Sequence, residues 1–133
     1  MAESQPIMIE VGAGELIDKI TILTIKSERM SDEGKLKNVR HELEVLSAAR
    51  DANLADSADL QRLTAALKEV NEALWEIEDD IRQCERDKDF GDKFIQLARS
   101  VYITNDKRAA LKKDINVLTG AGIIEEKSYT EFE

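Results

Sequence analysis

The sequence predicts an all-α fold in which a short helical hairpin precedes two long antiparallel helices, with short extended arms at both termini. The first observation is a stripe of apolar residues spaced alternately by three and four positions, which is typical of one face of a long helix. The second is a similar stripe nearer the C-terminus. The third is a set of polar or glycine-containing turns that separates four helical patterns. A chain of 133 residues has the size of one domain, so we expect residues 1–133 to form a single helical domain.

The N-terminal part of the chain predicts an arm and a hairpin. Residues 7–11 form a short apolar run that is typical of a short strand or an extended arm. A first helix over residues 15–30 follows, because its apolar residues recur at helical spacing. The polar segment 31–34 predicts a turn into a second helix over residues 35–50. Two short helices joined by such a turn form an antiparallel hairpin.

The third helix, predicted from Ser57 to about Asp87, carries the strongest apolar stripe. Its residues fall at heptad positions a and d, where they pack against other helices. Leucine at a with β-branched residues at d favours a bundle of more than two helices, so we expect a homo-oligomer. A core within one chain is the equally open alternative. The predicted helix-packing seam comprises Leu60, Leu63, Leu67, Val70, Leu74, Ile77, Ile81 and Cys84.

A fourth helix begins near Asp92 and ends at the glycines after residue 119. Its stripe again alternates between spacings of three and four. A tail over residues 123–129 follows, and whether it pairs with the N-terminal arm stays open. The stripe residues are Phe94, Leu97, Val101, Thr104, Arg108, Leu111, Ile115 and Leu118.

The charge and composition exclude several classes of partner. The chain has 19 Lys and Arg against 28 Asp and Glu, a net charge of −9. Because this charge repels phosphate backbones and anionic lipids, we expect no nucleic-acid partner and no membrane partner. No apolar run approaches the roughly 20 residues that span a bilayer, and no signal peptide is evident. With one cysteine, no intrachain disulfide can form, and we expect a cytoplasmic protein.

The polar middle of the fourth helix is the candidate ligand site. A buried arginine at position 108 requires a carboxylate partner, and acids on the third helix are available. One interpretation is an anion-binding pocket between helices, in which two arginines bind the anion and two polar side chains orient it. A structural ion pair is the alternative. The candidate ligand-binding residues are Arg99, Tyr102, Asn105 and Arg108, and the candidate carboxylates are Glu78, Asp80 and Glu85.

The remaining motifs indicate no catalytic residue, metal or cofactor. Gly12 and Gly14 lie before a helix as in a phosphate loop, but the Gly-Lys-Ser/Thr ending is missing and Glu15 would repel a phosphate. His41 is the only histidine and Cys84 the only cysteine, which excludes a zinc site or a Cys–His pair. We therefore favour a non-enzymatic role.

Two local resemblances keep an alternative function open. The acids Glu69, Glu72, Glu76 and Asp79 resemble the ladders of all-α nucleotide pyrophosphohydrolases, which bind magnesium through acids from two facing helices. Here all four lie on one helix, and a solvated helix face is the other interpretation. The stretch 16–29 is similar to the opening of helical chorismate mutases, which hold a dianionic substrate with Arg and Lys. Together they imply a small anionic-ligand-binding protein or enzyme with a basic pocket between helices.

Three longer segments resemble an uncharacterised family of short bacterial helical proteins. They are GELIDKITIL at 14–23, FIQLARSVYITND at 94–106 and EEKSY at 125–129. The resemblance covers nearly the whole chain and implies no established activity. Because family members are sometimes encoded beside glycosyltransferases, it implies a link to surface-polysaccharide biosynthesis. We expect a helical interaction or scaffold protein that self-associates, with a possible protein partner such as a glycosyltransferase.

Overall fold

The computed structural model describes residues 4–120 and 126–132 and contains four α-helices. They are α1 (Ala13–Arg29), α2 (Glu33–Asn53), α3 (Ala58–Arg86) and α4 (Asp92–Thr119). The prediction of an all-α fold, with a short helical hairpin before two long antiparallel helices, is confirmed. None of the helices is long and apolar enough to cross a membrane, among the residues described.

The ends of the helices follow from local hydrogen bonds. Ser57 caps α3 by accepting a hydrogen bond from the backbone N–H of Leu60 at 3.0 Å. Asp32 caps α2 in the same way, by accepting from the N–H of Lys35 at 2.9 Å. At the end of α4, Gly120 adopts a left-handed conformation with φ of 68°, which glycine tolerates without strain.

Helix α1 is the centre of the fold, because it packs against each of the other three helices. It runs antiparallel to α4, since Gly14 contacts Asn116 and Asp18 contacts Arg108. Helix α4 packs antiparallel to both α1 and α3, so α1 and α3 run in the same direction. The main core lies where α1, α3 and α4 meet and consists of Ile17, Ile20, Leu60, Leu63, Leu67 and Ile115.

The predicted seam on α3 divides into two parts. Leu60, Leu63 and Leu67 are buried in the main core, as is Cys84 near the turn into α4. The four residues between them, Val70, Leu74, Ile77 and Ile81, are half-buried. Helix α1 accounts for the half-burial of the last two, Ile77 and Ile81, whereas Val70 and Leu74 lie before its end. It ends at Arg29, which reaches only Glu72 and Glu76 on α3. We call residues 77–101, which lie beyond that level, the distal hairpin.

The terminal arms lack regular secondary structure where they are described, at residues 4–12 and 126–132. The N-terminal run is therefore an extended arm rather than a strand, and Ile7 to Ile9 are exposed. The C-terminal tail lies along α4, where the Phe132 ring meets the Tyr102 ring at a centroid distance of 5.2 Å. The beginning of the predicted tail, residues 123–125, is outside the described residues.

Candidate functional site

An ion pair between α1 and α4 forms the centre of the site. The Asp18 side chain is only 1% exposed, and Arg108 contacts it with two donors. Arg108 Nε donates to Asp18 Oδ1 at 2.9 Å, and Nη2 donates to Oδ2 at 2.5 Å. This two-pronged geometry is the strongest arrangement available to arginine and a carboxylate. The carboxylate that pairs with Arg108 thus lies on α1. It is none of the α3 acids that the sequence analysis named as candidates.

A third helix joins this ion pair through Asn71. The Asn71 Nδ2 atom donates to Asp18 Oδ1 and to Thr21 Oγ1, both at 2.9 Å. Thr21 Oγ1 donates in turn to the backbone carbonyl of Asp18 at 2.7 Å. Every buried side-chain nitrogen or oxygen in the described part of the chain has a hydrogen-bond partner. The network of Asp18, Thr21, Asn71 and Arg108 therefore fixes α1, α3 and α4 relative to one another.

The electrostatics of Asp18 reflect two opposing effects. Burial by itself raises the pKa of the carboxyl group, because it disfavours the charged form. Hydrogen bonds from Arg108 and Asn71, together with the positive charges of Arg108 and Lys112, outweigh burial and lower the pKa of Asp18 below its ordinary value. Asp18 is consequently ionised at neutral pH, and it is an acceptor rather than a proton donor.

Gly14, in the first turn of α1, serves helix packing. A Cβ atom on Gly14 would lie 2.3 Å from the backbone carbonyl oxygen of Lys112, so only glycine allows α1 to approach α4 so closely. The Gly14 N–H donates to Asn116 Oδ1 at 2.8 Å, and Lys112 Nζ contacts Glu15 Oε2 at 2.7 Å. The backbone donor and the cation that a phosphate would need are thus used within the protein.

A cleft of about 450 Å³ opens beside the network, lined by residues of α1, α3 and α4. We call it the wedge cleft. Its floor includes Asn71 and Arg108, and Trp75 lies in the wall that α3 supplies. The lining residues are Ile22, Ile25 and Lys26 from α1, Asn71, Leu74, Trp75, Glu78, Asp79 and Arg82 from α3, and Asn105 and Arg108 from α4.

The structure brings two of the four candidate ligand residues together. Asn105 and Arg108 both line the wedge cleft. Tyr102 is 45% exposed and packs against Phe132 of the tail, and Arg99 is exposed to solvent. The sequence analysis missed Asp18, Thr21, Asn71 and Trp75 as members of the site, whereas Lys26 lies in the stretch 16–29 that resembles the chorismate mutases. One signal was present: Asp18 and Thr21 each directly follow a buried apolar residue of α1, Ile17 and Ile20 respectively.

The acidic ladder of α3 has ion-pair partners on α1. Arg29 contacts Glu72 at 3.5 Å and Glu76 at 3.3 Å, and one turn away Lys68 contacts Glu28 at 2.8 Å. Among the described residues, no group of three or more His, Cys, Asp or Glu is arranged to hold a metal ion. Two acids of the ladder, Glu72 and Glu76, therefore join α1 to α3, whereas Glu69 and Asp79 are exposed.

Comparisons with known proteins place the whole chain in one family. No curated protein and no solved structure matches it. A family model matches residues 7–132, which include all four helices and every residue of the buried network. The chain belongs to this family, which is described as a family of unknown function (DUF6165).

Proposed function

We propose that this protein is a helical interaction protein that self-associates through the distal hairpin. In the assembly, the distal hairpins of two copies pack face to face as a four-helix bundle. The observation that carries the proposal is the early end of α1. Among the described residues, the ion pairs of the central helix with α3 reach Glu76, and no third helix packs on the apolar seam beyond it.

The uncovered part of the seam is long enough to bind another pair of helices. From Glu76, α3 continues to Arg86, which is about 15 Å of helix. Ile77 and Ile81 on α3 and Leu97 and Val101 on α4 are half-buried there. Full burial of one such side chain stabilises by about 1.5–3 kcal/mol relative to full exposure, and a second copy would supply part of that gain at each position.

Charge complementarity supports a second copy as the occupant. The distal part of α3 is rich in acids, whereas the facing stretch of α4 presents basic residues to solvent. A two-fold axis would set α3 of one copy against α4 of the other, which places opposite charges at the rim. The acids of α3 are Glu78, Asp79, Asp80 and Glu85, against the bases Arg82 and Arg86, and the bases of α4 within the distal hairpin are Lys93 and Arg99, against Asp92.

The location and further partners belong to the same proposal. We place the protein in the cytoplasm, because its single cysteine, Cys84, is a free and buried thiol, as is usual in a reducing compartment.

A glycan-building enzyme such as a glycosyltransferase is the proposed protein partner, on the strength of the family resemblance alone. Affinity purification with the wild type and with a distal-hairpin variant tests whether such an enzyme binds the same surface.

Sedimentation velocity over a range of protein concentrations tests self-association directly. We expect the wild type to be dimeric and Ile81→Asp to be monomeric, because the variant places a charge in the seam. Val45→Asp is the matched control, since Val45 is 51% exposed on α2 and far from the seam. Circular dichroism verifies that the helices persist in both variants.

A second variant avoids any effect on folding. Arg99→Glu changes only an exposed charge on α4, and we expect it to weaken the dimer while leaving the helical content unchanged. A wild type that stays monomeric at every concentration would refute the proposal. So would a dimer that both Ile81→Asp and Arg99→Glu leave intact.

A further inference from the structure

We propose that the wedge cleft binds a small molecule that carries one carboxylate on a planar ring. The cleft combines a cationic floor with an aromatic wall, and it lies against a network that is already ordered. These features occur together in sites for small anions, where a few fixed polar groups orient a ligand among apolar side chains.

Two cationic side chains of the cleft are Lys26 and Arg108, of which Arg108 already pairs with Asp18. Lys26 is half-buried in the wall supplied by α1. Arg29 and Arg82, which lie nearby, contact carboxylates, whereas Lys26 forms no ion pair with any described residue. A half-buried lysine that forms no ion pair with the described residues is an attractive site for an anion. Arg108 adds a guanidinium group whose side chain is 31% exposed.

The apolar lining favours a flat ring. Trp75 is half-buried in the wall of the cleft, and its indole offers a surface for stacking. Leu74 lies beside it on α3, and Ile22 and Ile25 face the cleft from α1. A planar ring between these side chains would remove apolar surface from water on both of its faces.

The polar groups of the floor are held in position before any ligand binds. Asp18 fixes Arg108 through two hydrogen bonds, and Asn71 is fixed by its bonds to Asp18 and Thr21. Asn105, one turn of α4 away from Arg108, adds an amide to the lining. Such preorganisation lowers the entropic cost of binding, so a ligand of few atoms suffices.

The rim of the cleft limits the charge of the ligand. Glu78 pairs with Arg82, and Asp79 is exposed at the same end of the cleft. These acids repel a ligand with several negative charges, and the net charge of −9 acts in the same direction. We therefore assign the cleft to a monoanion rather than to a polyphosphate.

The single tryptophan of the chain makes the site directly observable. The indole N–H of Trp75 gives the only tryptophan side-chain resonance in an ¹⁵N-labelled sample. We would titrate benzoate as the probe and benzamide as its uncharged isostere. We expect a saturable shift of this resonance with benzoate, with Kd of order 1 mM for so small a ligand, and binding about tenfold weaker with benzamide.

Two lysine variants separate site binding from general attraction. Lys26→Met should weaken benzoate binding about tenfold, whereas Lys37→Met, on the exposed face of α2, should leave it unchanged. Equal shifts with benzoate and benzamide, a shift that never saturates, or wild-type affinity in Lys26→Met would each overturn the proposal. The dimer mass of Lys26→Met should equal that of the wild type, so loss of benzoate binding without loss of the dimer distinguishes this proposal from the proposed self-association.

Discussion

At the scale of single residues, the Asp18–Arg108 pair has the largest consequence for stability. The carboxylate is almost fully buried, whereas the arginine keeps part of its side chain in the wedge cleft. A buried ion pair adds little to the free energy of unfolding compared with apolar residues of similar shape. Removal of one partner, however, leaves a buried charge without compensation. The two residues should therefore be strongly coupled.

We expect Arg108→Ala to reduce the free energy of unfolding by about 3–5 kcal/mol, because it leaves the buried Asp18 carboxylate without its cationic partner. Urea denaturation measures the loss. In the double variant Asp18→Asn/Arg108→Ala, both charges are absent, and the loss should be smaller than the sum of the losses measured in Asp18→Asn and in Arg108→Ala. Additive losses would show that the two side chains act separately.

At the scale of elements, the contact between α1 and α4 depends on Gly14. Its missing side chain lets the first turn of α1 lie against the backbone of α4 at Lys112. Alanine favours helix more than glycine does, so the intrinsic preference and the packing at this position oppose each other. Packing outweighs helix propensity here, because a Cβ on Gly14 would lie 2.3 Å from the Lys112 carbonyl oxygen. This atom belongs to the backbone and cannot move aside as a flexible side chain could.

We expect Gly14→Ala to destabilise the protein by about 1–3 kcal/mol, since the two helices must separate to admit the methyl group. Gly34→Ala is the matched control. Its Cβ would meet only the Asp32 side chain, at 3.3 Å, in the first turn of α2. That variant should be neutral or slightly more stable, and thermal unfolding followed by circular dichroism compares the two. A stabilised Gly14→Ala would contradict the close approach.

The helices were predictable from the sequence because each one carries its own local signals. Ser57 begins α3 with a side-chain cap, and glycine ends α4 at residue 120, both as helix-end rules require. The apolar periodicity of α3 gave its length and its packing face. Signals of this kind involve residues within a few positions of each other and need no knowledge of the tertiary fold.

The site was less predictable because its residues meet across three helices. The interrupted stripe of α4 indicated that Arg108 needs a carboxylate, but only the register of α1 against α4 selects Asp18 over the acids of α3. Asn71 directly follows the seam residue Val70, and the sequence alone does not mark it as a buried polar residue. The apolar periodicity of α3 does not indicate where α1 ends. The sequence therefore could not show which seam residues are only half-buried.

At the scale of the whole molecule, the fold divides into a proximal part with α1 at its centre and a distal hairpin of two helices. The proximal part holds the main core and the buried network. The distal hairpin has fewer buried side chains, with Cys84 near its end as the principal exception. Local stability follows buried apolar contacts, so the two parts should open at different rates in a monomer.

Hydrogen exchange measured by mass spectrometry tests this difference together with the proposed assembly. In dilute protein, we expect the amides of residues 77–101 to exchange faster than those of residues 60–71, because only two helices shield the distal part. Over about a hundredfold increase in concentration, exchange should slow in the distal hairpin alone, since a second copy binds the folded hairpin and stabilises it by mass action. Ile81→Asp should abolish this concentration dependence, whereas Val45→Asp should retain it. Exchange in residues 77–101 that is independent of concentration would place any self-association at another surface.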